Sequence, residues 1–283
     1  MIDERPHRPG SSVETRIVTF EGGKAAARYD RVATEEPLEI RLRAGSESRT
    51  VAITMRTPGN DFELAAGFLY GEGVIAGFDG LRGITYCLDG SLDADQQYNV
   101  VNVDLAASAL PSLDALERHF TMTSACGVCG RAQLESLESR GVTPVGGAFH
   151  MEAATITALP ERLRAAQGVF SKTGGLHAAG IFTPSGELVV LREDVGRHNA
   201  LDKAIGWALL QQRLPLADCV LLVSGRASYE LLQKAVTARI PVVCAVSAPS
   251  SLAVDVARRF NVTLVGFLRG ERFNVYAAHD RIR

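Results

Sequence analysis

The chain has 283 residues, enough for one large domain or two ordinary ones. Hydrophobic residues make up 46% and charged residues 22%, a globular balance, and a net charge of −2 excludes polyanion binding by bulk electrostatics. Five cysteines at scattered spacing exclude a secreted disulfide framework and point to a reducing cytoplasm.

Met1 to Gly10 carries charges and prolines but no apolar core, so no signal peptide is expected, and residues 1–12 read as a flexible lead-in. No apolar run reaches bilayer length, so neither membrane nor nucleic acid is an expected partner. Val13 to Phe20 alternates apolar and polar residues, a strand pattern, and Pro37–Arg43 and Arg49–Thr54 repeat it around a turn at Gly45. Pro58–Asp61 breaks the chain and opens a helix over Phe62–Leu69, stopped by Gly71-Glu72-Gly73. Ile84–Leu88 and Asn99–Leu105 are further strands, split by the acidic stretch 89–97. Ser112–Phe120 reads as a short helix. This much is a mixed α+β segment, assigned to residues 13–120.

Residues 121–145 hold the stretch TMTSACGVCGR and a helical pattern through Ala132, Leu134, Leu137 and Glu138 that closes at Gly141. Cys126 and Cys129 thus sit at or just before a helix N-terminus, among small residues and beside Arg131. The helix dipole and free amides there favour a thiolate. Four readings stay open. A zinc site lacks a second close Cys or Cys/His pair. A thioredoxin-like couple belongs after the first strand of a βαβ fold, not mid-chain. The pair could be structural only. A nucleophilic sulfur that carries persulfide suits an exposed thiolate, with the second thiol available for exchange. Cys219 and Cys244 lie in apolar runs and read as inert core, as does Cys87.

From 146 to 283 the texture is regular α/β alternation. A helix over Leu159–Gln167 follows a capping Thr157, and a hairpin pairs Ala178–Phe182 with Glu187–Leu191. Then come helix Asn199–Gln212, strand Cys219–Val223, helix Tyr229–Thr237, strand Val242–Val246, helix Ser251–Phe260 and strand Thr263–Phe267. That order implies a largely parallel sheet covered by helices, and hence an α/β fold in two parts. Ligands on such a sheet collect at the carboxyl ends of the strands. Those ends carry Ser224-Gly225-Arg226-Ala227-Ser228, then Ser247 to Ser251, then Arg269-Gly270-Glu271-Arg272. Two of these are small-residue loops opening a helix, a phosphate-friendly arrangement, and the third adds two arginines. Residues 258–283 as a whole hold six arginines against two acids.

Other motifs weigh differently. Gly71–Ala76 has the form GxGxxA but follows a helix, so it is a helix stop, and no Walker sequence is present. His177 lies in the glycine-rich KTGGLHAAG, where a site role and a structural role are evenly balanced. The zinc-deaminase pattern His-x-Glu fails there because Ala179 stands in the glutamate position. EDVGRHN, residues 193–199, can be a capping sequence in which Asp194 satisfies free amides. Arg197 and His198, however, carry positive charge in a first helical turn, where something acidic or anionic must hold them.

These segments resemble the FdhD family, the formate dehydrogenase accessory sulfurtransferases. The matches are SACGVCG at 124–130, TGGLH at 173–177, EDVGRHN at 193–199, SGR at 224–226, SAPS at 247–250 and GFLRGERFN at 266–274. LAAGFL at 64–69 adds an N-terminal match. The resemblance implies a small N-terminal domain joined to a cytidine-deaminase-like α/β domain, usually as a homodimer. It implies a protein that takes sulfur from a cysteine desulfurase as a cysteine persulfide. The sulfur then goes to a molybdenum or tungsten bis(molybdopterin guanine dinucleotide) cofactor destined for formate dehydrogenase. The persulfide role falls on Cys126, with Cys129 as its companion, on an arm near the domain junction. Cofactor binding falls on Phe267, Leu268, Arg269, Gly270, Glu271 and Arg272, joined by His177, Arg197, His198, Ser224, Gly225, Arg226 and Ser247. GDP-like nucleotides would fit the same place. A non-covalent nucleotide-binding chaperone and a dithiol oxidoreductase are the competing functions.

Overall fold

Alternation gives Glu36–Ala44 one buried face, with Leu38, Ile40, Leu42 and Ala44 inward. The computed structural model describes residues 9–87, 97–112, 130–147 and 149–283, excepting the side chains of 130–132. Strands β1 (Ser12–Glu21) and β2 (Lys24–Ala33) form an exposed antiparallel ribbon. β3 (Glu36–Ala44), β4 (Glu47–Arg56), β5 (Leu81–Tyr86) and β6 (Val100–Leu105) form a sheet of order β4-β3-β6-β5 under helix α1 (Asp61–Gly71). The helix expected over 112–120, apart from Ser112, and most of the acidic stretch lie outside the described residues.

Helix α2 (Gly130–Ser139) opens one residue after Cys129, matching the helical pattern expected there. It is followed by α3 (Ala153–Ala166) and the single turn α4 (Phe170–Thr173). Then come β7 (His177–Phe182), β8 (Leu188–Asp194), α5 (Arg197–Leu210), β9 (Val220–Val223) and α6 (Tyr229–Thr237). The chain closes with β10 (Val242–Ala245), α7 (Ser251–Arg259), β11 (Thr263–Arg269) and β12 (Arg272–Ala277). The second sheet has the order β12-β11-β10-β9-β7-β8. This bears out the α/β class but corrects the expectation of a largely parallel sheet. Only β9, β10 and β11 run parallel, because β7–β8 and β11–β12 are hairpins whose short turns require antiparallel partners. Thr157 is not a cap either. α3 starts four residues earlier, and the Thr157 hydroxyl donates to the Ala154 carbonyl within the first turns.

The central strands β7, β9 and β10 are buried on both faces. Leu221, Val223 and Val243 join one large core with α5, α6, α7 and the N-terminal sheet, while Val220, Leu222 and Val265 pack with α3 on the other side. The large core is continuous through the crossing of α1 and α5. Glycines meet there: a Cβ at Gly67 would lie 1.9 Å from the Asp202 carbonyl oxygen, and one at Gly206 would lie 1.8 Å from that of Glu63. The two backbones touch, which only hydrogen side chains allow. Beside the crossing, Arg192 of β8 makes a two-pronged ion pair with Glu63 of α1, at 2.5 and 2.8 Å. Cys219 and Cys244 are buried, and burial pushes both thiols up to about 12, as inert core cysteines require. Cys87 departs from the core reading: it is half-exposed just past β5.

Candidate functional site

The carboxyl ends of β9, β10 and β11 line up on one edge, and the antiparallel strand β7 starts there. Two backbone bonds and one side-chain bond stitch the loops together. Ser247 N–H donates to the Gly225 carbonyl at 3.4 Å, Phe267 N–H to the Ser247 carbonyl at 3.1 Å, and Arg269 Nε to the Val246 carbonyl at 3.3 Å. Ser224 Oγ accepts from Ala178 N–H at 2.9 Å, which fixes the start of β7 against the end of β9. Gly225 lies against His177 and Arg197; a Cβ there would sit 3.4 Å from His177 Nδ1 and 3.7 Å from Arg197 Cδ. His177, Arg197, Ser224, Gly225 and Ser247 are therefore neighbours. Arg226 is exposed beside them.

The sequence EDVGRHN divides into scaffold and site. Asp194 is fully buried. It accepts from Gly196 N–H at 2.8 Å and Thr57 N–H at 3.1 Å, and it pairs with Lys203 Nζ at 2.6 Å. Asn199 Nδ2 bridges Asp194 to the Met55 carbonyl. These bonds clamp the turn that presents Arg197 and His198, but they correct the capping reading: the N-cap of α5 is Gly196, no side chain caps the helix, and Asp194 binds the turn before it. The acidic partner anticipated for His198 is Glu230, 2.6 Å from Nε2, with Ser228 Oγ at 3.1 Å. The hydrogen bond from His198 holds the Glu230 carboxyl below the usual range. Arg197 has no ion pair among the described residues, and its Nε–H is buried without a partner. Burial first, then the nearby Arg197 charge, pulls the His177 imidazole below its ordinary value, so it is neutral near pH 7.

His177 and Ser224 open onto a cleft of about 560 Å³ walled by α3, α4 and Gly174-Gly175. Arg164 stacks over the Phe170 ring at 4.1 Å on its rim. Glu193 holds α4 in place by accepting from Val169 and Phe170 N–H at 2.9 and 2.8 Å. Phe170 and Glu230 went unforeseen, and Glu193 stands out in the sequence only as part of EDVGRHN, without this role. A four-residue helix leaves no periodicity, and contacts across more than twenty residues leave no local signal.

At the far end of the same edge the β11–β12 hairpin is bulged between Gly266 and Arg269. Phe267 takes φ +53°, a strained value for a bulky residue, and its ring is 41% exposed. Gly266 is required where β11 passes beneath the preceding loop, since a Cβ would come within 2.9 Å of Pro249 Cδ. Phe267, Arg269, Arg272 and Asn274 line a cleft of about 360 Å³ that no carboxylate lines among the described residues. Gly270 and Glu271 form the exposed turn. Leu268 differs from the other residues of the segment: it is fully buried in the core, so its side chain packs the sheet and faces no ligand.

Cys126 and Cys129 lie outside the described residues. Among the described residues no group of three or more His, Cys, Asp or Glu could hold a metal ion, and no helix is long and apolar enough to cross a membrane.

Fold and site together define an α/β protein built on two sheets, with arginine and imidazole side chains gathered at one sheet edge. Residues 33–283 match the model of the FdhD/NarQ family, and the chain belongs to that family, as its motifs led one to expect. It is 53% identical to the sulfur carrier protein FdhD of Mycolicibacterium paratuberculosis over 94% of this chain and 97% of that one. Identity is 52% to the protein of the same name from Streptomyces coelicolor, over 94% of each. It is 46% to that of Sulfurisphaera tokodaii, over 91% and 93%. A solved structure from Desulfotalea psychrophila, assigned as a formate dehydrogenase accessory protein, superimposes with a TM-score of 0.75 at 26% identity. That match covers 96% of this chain and 100% of the other.

Proposed function

We propose that this chain is a cytoplasmic sulfur carrier that equips a formate dehydrogenase, working as a homodimer. The Cys126 thiolate attacks the outer sulfur of a persulfide on a cysteine desulfurase. The donor's S–S bond breaks, its cysteine leaves as thiolate, and Cys126 gains one sulfur with no net oxidation or reduction. The sulfur then passes to a molybdenum or tungsten bis(molybdopterin guanine dinucleotide) substrate as hydrosulfide. The Cys129 thiolate attacks the inner sulfur of the Cys126 persulfide, the S–S bond breaks, hydrosulfide leaves, and the electrons come from the thiol pair, which ends as a Cys126–Cys129 disulfide. Arg269 and Arg272 grip diphosphate oxygens, while Ser224, Gly225, Arg226 and Ser247 seat the nucleotide and Phe267 offers a stacking face. GDP-like nucleotides occupy the same edge. Neutral His177 and unpaired Arg197 suit hydrogen bonding to an anionic group.

The observation that carries this reading is a Cys-x-x-Cys pair ending one residue before α2, in a chain of a family whose named members are sulfur carriers. A helix N-terminus in that position supports a thiolate. The test is restoration of formate dehydrogenase activity in cells whose own accessory protein is deleted. Wild type restores it and Cys126→Ala does not, while GDP binding by the purified variant is unchanged. Full restoration by Cys126→Ala would leave the non-covalent chaperone as the function.

A further inference from the structure

On the opposite side of the molecule the carboxyl-terminal ends of α1, α2 and α6 converge around a cleft of about 420 Å³. That size is ordinary for a small-molecule site. Its apolar lining is Ile75, Ala76 and Val142 over the buried Val236, and its polar groups are Tyr70, Thr143, Thr237 and two guanidinium groups, those of Arg140 and Arg239. Among the described residues no aspartate or glutamate lines it. The Tyr70 hydroxyl is already committed, donating to the Thr237 carbonyl at 2.9 Å. Arg239 spends its N–H groups on Thr143 and on the Pro144 carbonyl, fixing its place at the rim. Arg140 is different. It makes one hydrogen bond, Nη2 to the Gly71 carbonyl at 2.7 Å, and its Nε–H is buried with no partner. It forms no ion pair among the described residues. Gly73, at φ +76°, leaves the space the guanidinium occupies; a Cβ there would come within 2.9 Å of both Nε and Nη2.

The converging helix carboxyl ends partly offset the two guanidinium charges. Neither guanidinium, however, has a carboxylate partner among the described residues, and the unpartnered Arg140 Nε–H shows that its hydrogen-bonding capacity is not used up. Guanidinium groups with free N–H donors bind oxyanions in preference to other ligands. We propose that this cleft binds a small molecule carrying a phosphate or carboxylate group on an apolar body. The oxyanion meets Arg140, and the apolar part lies on Ile75, Ala76 and Val142. Arg140 directly follows α2, whose other end lies about 15 Å away at 1.5 Å per residue and begins next to Cys129. Occupancy therefore holds the trailing end of the helix that the cysteine pair leads into. The proposal does not depend on the sulfur-carrying reading.

The test is calorimetric titration of the full chain with phenyl phosphate, at constant ionic strength and in an Arg164→Gln/Arg197→Gln/Arg269→Gln/Arg272→Gln background that removes the arginines of the two other clefts. Saturable binding is expected, tighter than for inorganic phosphate. Arg140→Gln should weaken it at least about tenfold, the loss expected for a charge-assisted hydrogen bond. Because Arg140 also caps Gly71, a second variant keeps that cap. Ala76→Glu, exposed on the rim, places a carboxylate in the cavity and should weaken binding to a similar degree. Absence of saturable binding in the background, or binding that survives both substitutions, overturns the proposal. A carboxylate probe, benzoate, binding as well as phenyl phosphate would assign the site to carboxylates; weaker benzoate binding would assign it to phosphates.

Discussion

Replacing Lys203 by methionine should unfold the protein far more readily than a surface change would. The ammonium is almost fully buried, lies 2.6 Å from the buried Asp194 carboxylate and also donates to the Thr57 carbonyl at 2.8 Å. Methionine matches the stem of the side chain and removes only the charge and its donors. Asp194 would retain the Gly196 and Thr57 amides and the Asn199 side chain but lose its counter-charge. Breaking one side of a buried pair costs roughly 3–5 kcal/mol. Trp207, the one tryptophan, lies on α5 with Lys203 and reports directly on this region. Urea unfolding followed by its fluorescence should show that loss, with an unchanged dependence on denaturant. Asp194→Asn combined with Lys203→Met leaves no orphaned charge, so the double variant should lose clearly less than the two single losses together. A cost below about 1 kcal/mol for Lys203→Met, or strict additivity in the double variant, would refute the assignment of this pair as the clamp of the Arg197–His198 turn.

Two further outcomes follow from the same contacts. Gly206→Ala puts a methyl group 1.8 Å from the Glu63 carbonyl oxygen, so α1 and α5 must separate. Unfolding should cost about 3 kcal/mol or more, whereas Gly77→Ala, with open space around it, should change little. Equal urea midpoints for the two variants would rule out the close crossing. His177 has a folded pKa below its unfolded value of about 6.5, so the folded state binds fewer protons below that pH. Its contribution to stability is intact above about pH 6.5 and is lost as pH falls further. His177→Gln should flatten the change in urea midpoint between pH 7.5 and 5.5, and identical slopes for the two proteins would contradict the depressed pKa.

Strands with one or two apolar faces were legible from alternation or continuous apolar runs, as at Pro37–Arg43 and Val242–Val246. Lys24–Ala33 was not, because its alanines and charges carry no face; it becomes a strand only by pairing with Ser12–Glu21. The phosphate-friendly loops were legible because small residues and arginines recur at strand ends. Their convergence was only partly so. His177 meets Gly225 because β7 runs antiparallel to β9, a choice that strand order alone does not reveal. A bulge explains the division within 267–272. One extra residue sends the Phe267 ring outward while Leu268 turns into the core, and no period-two reading anticipates it. The charge in the first turn of α5 did signal a hidden acidic partner, but not that it would be Glu230, thirty-two residues downstream of His198.

The central claim is that Cys126 carries sulfur. Its most direct test is the intact mass of the purified chain after incubation with a cysteine desulfurase and cysteine, before and after a reducing agent. The account predicts a reducible gain of one sulfur atom in wild type and in Cys129→Ala, and none in Cys126→Ala. Sulfur loading undiminished in Cys126→Ala would contradict it.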